Sequence, residues 1–241
     1  MSELSREMPY GQSLTTFSQG IKDCIPTLFG YISIGIAAGI VGASSSLSVL
    51  EVALLSALVY AGASQFIICA LIVSGSPFSV IVFTTFIVNL RHFLLSMTLA
   101  PHFTKYSLMK NIGIGALVTD ESFGVAANKI SKNETFNDKW MNGLNITAYL
   151  FWIISCTVGA IFSKWISNPE AFGLDFSLTA MFLALLVLQI QNIEQSKLKF
   201  YLTLMVYTVL LMLFLSMFVP SYIAILLSTI IVATIGVIKD K

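Results

Sequence analysis

Five polar or charged side chains fall where an apolar sequence should have none. The stretch FSVIVFTTFIVNLRHFLLSMTLA, residues 78–100, carries Asn89, Arg91 and His92 at its centre, and IGIGALVTDESFGVAANK, residues 112–129, carries Asp120 and Glu121 in its middle. A charge at the centre of a bilayer costs about 2.5–3.5 kcal/mol on insertion scales, so each one asks for a reason. Arg91 cannot shed its charge, because a guanidinium stays protonated below about pH 12. A carboxylate partner is expected, and Arg91 with Asp120 is the favoured pair. Two kinds of chemistry fit. The pair can be a salt bridge that holds two helices in register. Alternatively, Arg91 faces a water-filled path and takes the carboxylate of a substrate, while an acid beside it exchanges protons; a carboxylic acid withdrawn from water can carry a proton near neutral pH. His92 is a second titratable group, or simply a packing donor.

On a continuous helix Asn89 and His92 share a face, and Arg91 lies about 200° round from Asn89. Both faces are then polar, which favours burial against other helices or a local break. A second unusual string is Tyr60-Ala61-Gly62-Ala63-Ser64-Gln65-Phe66, halfway along another apolar run. Its small residues permit close helix packing. They equally suit a point where the helix opens and leaves backbone groups free for a ligand. Gln65 is its one strongly polar side chain, and Tyr60 and Ser64 share a face. The Gly35/Gly39 pair reads as helix packing. In Gly173-Leu174-Asp175-Phe176, Asp175 is placed to cap a helix.

The elements that must position these residues follow from composition. Of 241 residues, 56 % are hydrophobic and 10 % charged, and mean hydropathy is +0.87. A soluble domain carries roughly a quarter of its residues as charges, and a disordered chain is excluded by the same apolar content. The expected fold is an all-α polytopic membrane protein. Eight apolar runs read as membrane helices, some short or discontinuous: 23–43, 49–73, 78–100, 111–128, 143–162, 176–190, 199–218 and 221–238. Gly75-Ser76-Pro77, Pro101, Asn168-Pro169 and Pro220 separate neighbours. The chain is expected to be one transporter domain, with residues 1–20 as a cytoplasmic segment and 21–241 as a helical bundle.

Eight spans with a cytoplasmic N-terminus place nine Lys and Arg inside and Lys105, Lys110 and Lys164 outside. If the fourth run does not cross, seven spans give nine against three again. An inverted repeat of four plus four spans is compatible with the pattern. Cys24, Cys69 and Cys156 lack metal or redox spacing and read as core residues. The net charge of +1 gives no support for a nucleic-acid partner. No signal-peptide layout is read at the N-terminus, and the two Asn-X-Thr matches read as accidental.

With these strings in view, the chain resembles the AzlC family, the large subunit of bacterial two-component branched-chain amino acid exporters. YAGASQF at Tyr60 to Phe66, NLRH at Asn89 to His92, TDE at Thr119 to Glu121 and GLDF at Gly173 to Phe176 carry the resemblance, in order, from about Gly20 onward. It implies proton-driven export of leucine, isoleucine, valine and sometimes methionine across the cytoplasmic membrane. It also implies a small AzlD-type membrane partner and no cofactor.

On the motif positions, Tyr60, Gly62, Ser64, Gln65, Phe66, Asn89 and Arg91 are expected to bind the substrate. His92, Asp120 and Glu121 are expected to serve proton coupling. The alternatives are a channel or passive pore, or a structural subunit of a larger transport complex. An intramembrane enzyme is disfavoured, since there is no H-E-x-x-H or G-x-S-x-G and only His92 and His102 are available.

Overall fold

The computed structural model describes residues 15–165, 195–219 and 221–239, together with the isolated positions Phe176, Leu183, Leu186, Val187, Ile190 and Ile193. Gly173 to Asp175, most of the sixth apolar run and the N-terminal fourteen residues lie outside the described set. Every regular element among the described residues is helical: α1 (Phe17–Ser44), α2 (Val49–Leu58), α3 (Gly62–Val73), α4 (Phe78–Leu99), α5 (Leu108–Ala116), α6 (Asp120–Ser131), α7 (Asp138–Phe162), α8 (Gln195–Leu215) and α9 (Ser221–Lys239). Short 3₁₀ turns extend α4 to Phe103 and α7 to Trp165. Four helices are long and apolar enough to cross a bilayer: α1, α4 with its turn, α7 with its turn, and α8. The protein is thus an all-helical, multi-pass membrane protein. The chain forms two compact units, Met1–Thr179 and Ala180–Lys241. In the second, α8 and α9 pack on each other, with Leu204 against Gly236.

The frame of the first unit is the pair α1 and α7, which run parallel. Near their starts, a Cβ on Gly20 would overlap the Trp140 carbonyl and one on Gly143 would overlap the Phe17 carbonyl. Near their ends the relation repeats, Gly39 abutting the Cys156 carbonyl and Gly159 that of Ile36. Each glycine thus sits against the carbonyl three residues before its counterpart. Only residues without a side chain let two backbones approach this closely, the usual means of joining helices where lipid removes the hydrophobic drive between them. Between these contacts Tyr31 and Trp152 meet edge to face, with centroids 5.6 Å apart.

Against this frame, the second and fourth apolar runs each fold back as two short helices. Val52 in α2 and Cys69 in α3 both lie beside Gly42, near the end of α1. Between them the chain dips to mid-depth, where the Tyr149 hydroxyl donates to the Ala57 carbonyl at 2.9 Å and Trp152 Nε1 donates to Gln65 Oε1 at 3.1 Å. α2 and α3 are therefore a hairpin that enters and leaves at one end. α5 and α6 form its counterpart from the opposite end. Lys110 meets Asp138 at the start of α7, Asn145 Nδ2 donates to the Ile114 carbonyl, Tyr31 contacts Thr119 at mid-depth, and Lys129 returns to Asp23 and Trp140.

Among the eight runs, read as membrane helices of which some are short or discontinuous, these two are discontinuous, each a pair of short helices. An apolar run of this length can also fold back, provided its tip is buried in protein so that the broken backbone never faces lipid. Both tips meet that condition, since Tyr60, Ala61, Val118 and Thr119 are all buried. One helix plus a hairpin, α1 with α2–α3, is followed by a second such unit, α4 with α5–α6, running in the opposite sense. Within residues 17–131 the two units are thus inverted relative to each other.

Candidate functional site

Local sequence explains why each hairpin breaks where it does. At the first tip Tyr60 adopts φ +42°, and Ala61 is extended at φ −149° before α3 restarts at Gly62. A left-handed conformation is costly for an aromatic residue and persists only where its surroundings hold it. Here the ring packs edge to face on Tyr149, centroids 4.8 Å apart. At the second tip Thr119 caps α6: its hydroxyl accepts from the Ser122 amide at 3.3 Å, and the Ser122 hydroxyl accepts from the Thr119 amide at 2.9 Å. This reciprocal pair lets a helix start in the middle of the protein without orphaned donors.

The two tips meet at Tyr31 of α1. Its hydroxyl donates to Glu121 Oε2 at 3.0 Å and, having one proton, accepts from Thr119 Oγ1 at 2.5 Å. The Tyr60 hydroxyl faces the same group, towards Tyr31, Thr119 and Glu121. Both α3 and α6 begin here, so the positive ends of two helix dipoles point into one mid-depth region from opposite directions.

α4 closes the region and touches both hairpins. Ser64 Oγ donates to Asn89 Oδ1 at 2.6 Å, tying α4 to α3. Arg91 Nη1 lies 3.0 Å from Asp120 Oδ2, tying α4 to α6, and His92 Nε2 is 3.9 Å from the same oxygen. The pair expected from sequence therefore forms. Arg91 Nε and His92 Nε2 are buried without a hydrogen-bond partner. An apolar groove of about 630 Å³ between α4 and α5 runs past Phe103, Met97 and Asn111 to His92.

Of the residues singled out in the sequence, Tyr60, Ser64, Asn89, Arg91, His92, Asp120 and Glu121 are brought together around the tips, with Gly62 in the first turn of α3. Gln65 and Phe66 point elsewhere. The Gln65 carbonyl is taken by Trp152, with Cys156 Sγ 3.9 Å away, and Phe66 belongs to the buried core. Both hold α3 in place. Tyr31, Tyr149 and Trp152 were missed. Each hides its polar atom in an apolar helix, and the available signal was an aromatic hydroxyl or indole N–H, which needs a partner once withdrawn from water. The three cysteines are free and buried, as core residues should be.

Comparison with known proteins follows the same stretch of chain. Residues 26–166 match the AzlC protein family. The chain belongs to the AzlC family. It is 29 % identical over 183 residues to the inner membrane protein YgaZ of Escherichia coli K12, covering 73 % of this chain and 74 % of that one. It is 27 % identical over 187 residues to the branched-chain amino acid transport protein AzlC of Bacillus subtilis 168, covering 74 % and 69 %. An uncharacterized membrane protein of Archaeoglobus fulgidus is 30 % identical over 180 residues, covering 71 % and 74 %. No solved structure matches. The family match runs from residue 26 to 166, so it takes in both hairpins, α4, α7 and about the last two thirds of α1.

Proposed function

We propose that this AzlC-family protein is a proton-coupled secondary carrier that exports branched-chain amino acids from the cytoplasm together with a small AzlD-type partner. The observation that carries the reading is the meeting of two opposed half-buried hairpins at Tyr31, with the Arg91–Asp120 pair beside them. Broken helices whose starts face each other at mid-depth are how many secondary carriers place a zwitterion: backbone donors and charges at the centre, an apolar body around them. Its family membership and the B. subtilis relative's name support the substrate class. His92, Asp120 and Glu121 are the groups proposed to exchange the proton, with His92 reached from the groove between α4 and α5.

Orientation follows from the hairpins. Lys22, Lys105, Lys110, Lys129, Lys132 and Lys139 belong to the end where α1 begins, and Lys164 alone among the described residues of this unit to the other. Positive charge gathers on the cytoplasmic face, so the end carrying six lysines is cytoplasmic. Residues 17–165 then make three crossings, α1, α4 and α7, instead of the five read from hydropathy. On this reading Lys105 and Lys110 lie inside, a topology different from both the eight-span and the seven-span arrangements.

The test is transport in proteoliposomes with a panel of amino acids, with and without the partner and a pH gradient. Leucine, isoleucine and valine should move, faster with the gradient, and unlabelled leucine loaded inside should accelerate entry of labelled leucine. A pore shows no such counterflow, and failure of all three substrates under every condition removes the reading.

A further inference from the structure

We infer that the α5–α6 hairpin is the cytoplasmic gate of the carrier: Lys129 and Lys110 latch its base to the α1–α7 frame, and their release lets the arms swing aside and opens the mid-depth region to the cytoplasm. This assignment rests on the transport reading above and identifies the element that moves.

The two hairpins are not packed alike. α3 buries Ala63, Ser64, Gln65, Phe66, Ile68 and Cys69. α5 buries only Ile114, and α6 only Ser122 and Ala126. The arms of the second hairpin thus have little core to hold them, while Arg91 and Tyr31 fix the tip. Elements that move are drawn from those with few buried apolar contacts. On the side facing α4 there is also room, because the groove of about 630 Å³ separates α5 from α4.

What holds the arms is charge. Among the described residues of the first unit, ion pairs between elements fall at two levels. Arg91 and His92 meet Asp120 at the tip, whereas Lys110 meets Asp138 at 2.9 Å and Lys129 meets Asp23 at 3.6 Å, both at the base. The opposite end of the unit, where α1 finishes, is joined by apolar contact instead, Val52 and Cys69 lying beside Gly42.

The latch can part without stranding a charge. Asp23 accepts from Gln19 Nε2 and from Trp140 Nε1, each at 2.8 Å, and both donors belong to the frame. Lys129 donates to Glu134 Oε2 at 2.8 Å, and the Glu134 amide donates to the Lys129 carbonyl, so this acid travels with α6. Across the boundary lie only the longer approach of Lys129 to Asp23 and the ammonium's seat 5.3 Å from the centre of the Trp140 ring. Each charge keeps its own partner when the two sides separate, which avoids the cost of an unpaired buried ion. The Lys110 side chain is 58 % exposed, so water takes the place of Asp138 around its ammonium.

The experiment reads opening at a cysteine placed on the tip. Val118 is buried there, and Val118→Cys changes its volume little. A charged, membrane-impermeant thiosulfonate is applied to the cytoplasmic side of oriented vesicles carrying the full chain. Lys129→Gln combined with Lys110→Gln should raise the labelling rate of Val118→Cys about five-fold or more. From the outside the rate should not rise. The same latch variants without Val118→Cys report on Cys24, Cys69 and Cys156, which are buried in α1, α3 and α7 and should stay unreactive. Labelling of these would mean general loosening and overturns the gate, as does an unchanged rate at Val118→Cys. In a second arm, Lys110→Cys and Asp138→Cys are bridged by a flexible bis-thiosulfonate. Bridging should abolish leucine counterflow and reduction should restore it; counterflow that survives complete bridging also overturns the gate. A parent protein without counterflow is a different failure. It removes the transport reading, while the labelling rates, which need no substrate, still judge the hairpin.

Discussion

Arg91 of α4 and Asp120 of α6 stand 3.0 Å apart, joining a helix that runs the full depth of the protein to one that begins halfway through it. Their side chains are 27 % and 19 % exposed, so neither charge is well solvated. Removing one partner of such a pair strands the other, at a cost of about 3–5 kcal/mol, whereas removing both is often tolerated. Arg91→Gln and Asp120→Asn should each lower the melting temperature in detergent and reduce the amount inserted. The double variant should recover most of both. If the double is as unstable as the worse single, the pair does not hold the hairpin.

The hairpins also predict which face of the membrane each loop meets. Cysteines introduced at Lys110 and Lys132, either side of the α5–α6 hairpin, should be labelled from the cytoplasm. Those at Ser46 and Ser76, either side of α2–α3, should be labelled from outside. The native cysteines are buried and give a quiet background. Labelling of Lys110 and Lys132 from opposite faces returns the fourth run to a spanning helix.

Glycine content alone does not say which glycines matter, and the α1–α7 contact separates them. A Cβ at Gly39 would overlap the Cys156 carbonyl, and backbone cannot swing aside as a flexible side chain can. A Cβ at Gly30 meets nothing within 4 Å. Gly39→Ala should destabilise the protein by about 1–3 kcal/mol, the usual range for overpacking. Gly30→Ala should be neutral or slightly stabilising, because alanine is the better helix former by up to about 1 kcal/mol. Thermal melts of the two variants beside the parent decide it; equal melting points would mean that the helices are not in backbone contact.

Much of this site was legible in the sequence because the bilayer makes certain residues conspicuous. Arg91 and Asp120 could be paired on cost alone, and the YAGASQF string announced either a packing surface or a break. What hydropathy could not reveal was direction. A run of 25 apolar residues has the same composition whether it continues through the membrane or turns back at Tyr60, and the turn depends on a positive φ and on Tyr149 reaching Ala57 from another helix. The hydrogen bond that holds Gln65 was not legible, because its partner, Trp152, lies 87 positions along the chain. Tyr31 was passed over because one hydroxyl barely alters the hydropathy of α1.

Tyr31 is therefore the sharpest remaining test of how the tips cooperate. Its hydroxyl is the atom by which α1 holds both Thr119 and Glu121, at 2.5 and 3.0 Å. Tyr31→Phe keeps the ring that packs on Trp152 and removes only that atom, so insertion and folding should survive with a loss of about 1–2 kcal/mol. Transport should suffer more than stability, because Glu121 loses the donor that positions it. The expected result is normal expression, a small drop in melting temperature and leucine counterflow reduced about ten-fold. Counterflow equal to that of the parent would show that the second tip keeps its geometry without α1, and the meeting of the tips at Tyr31 would then be packing alone.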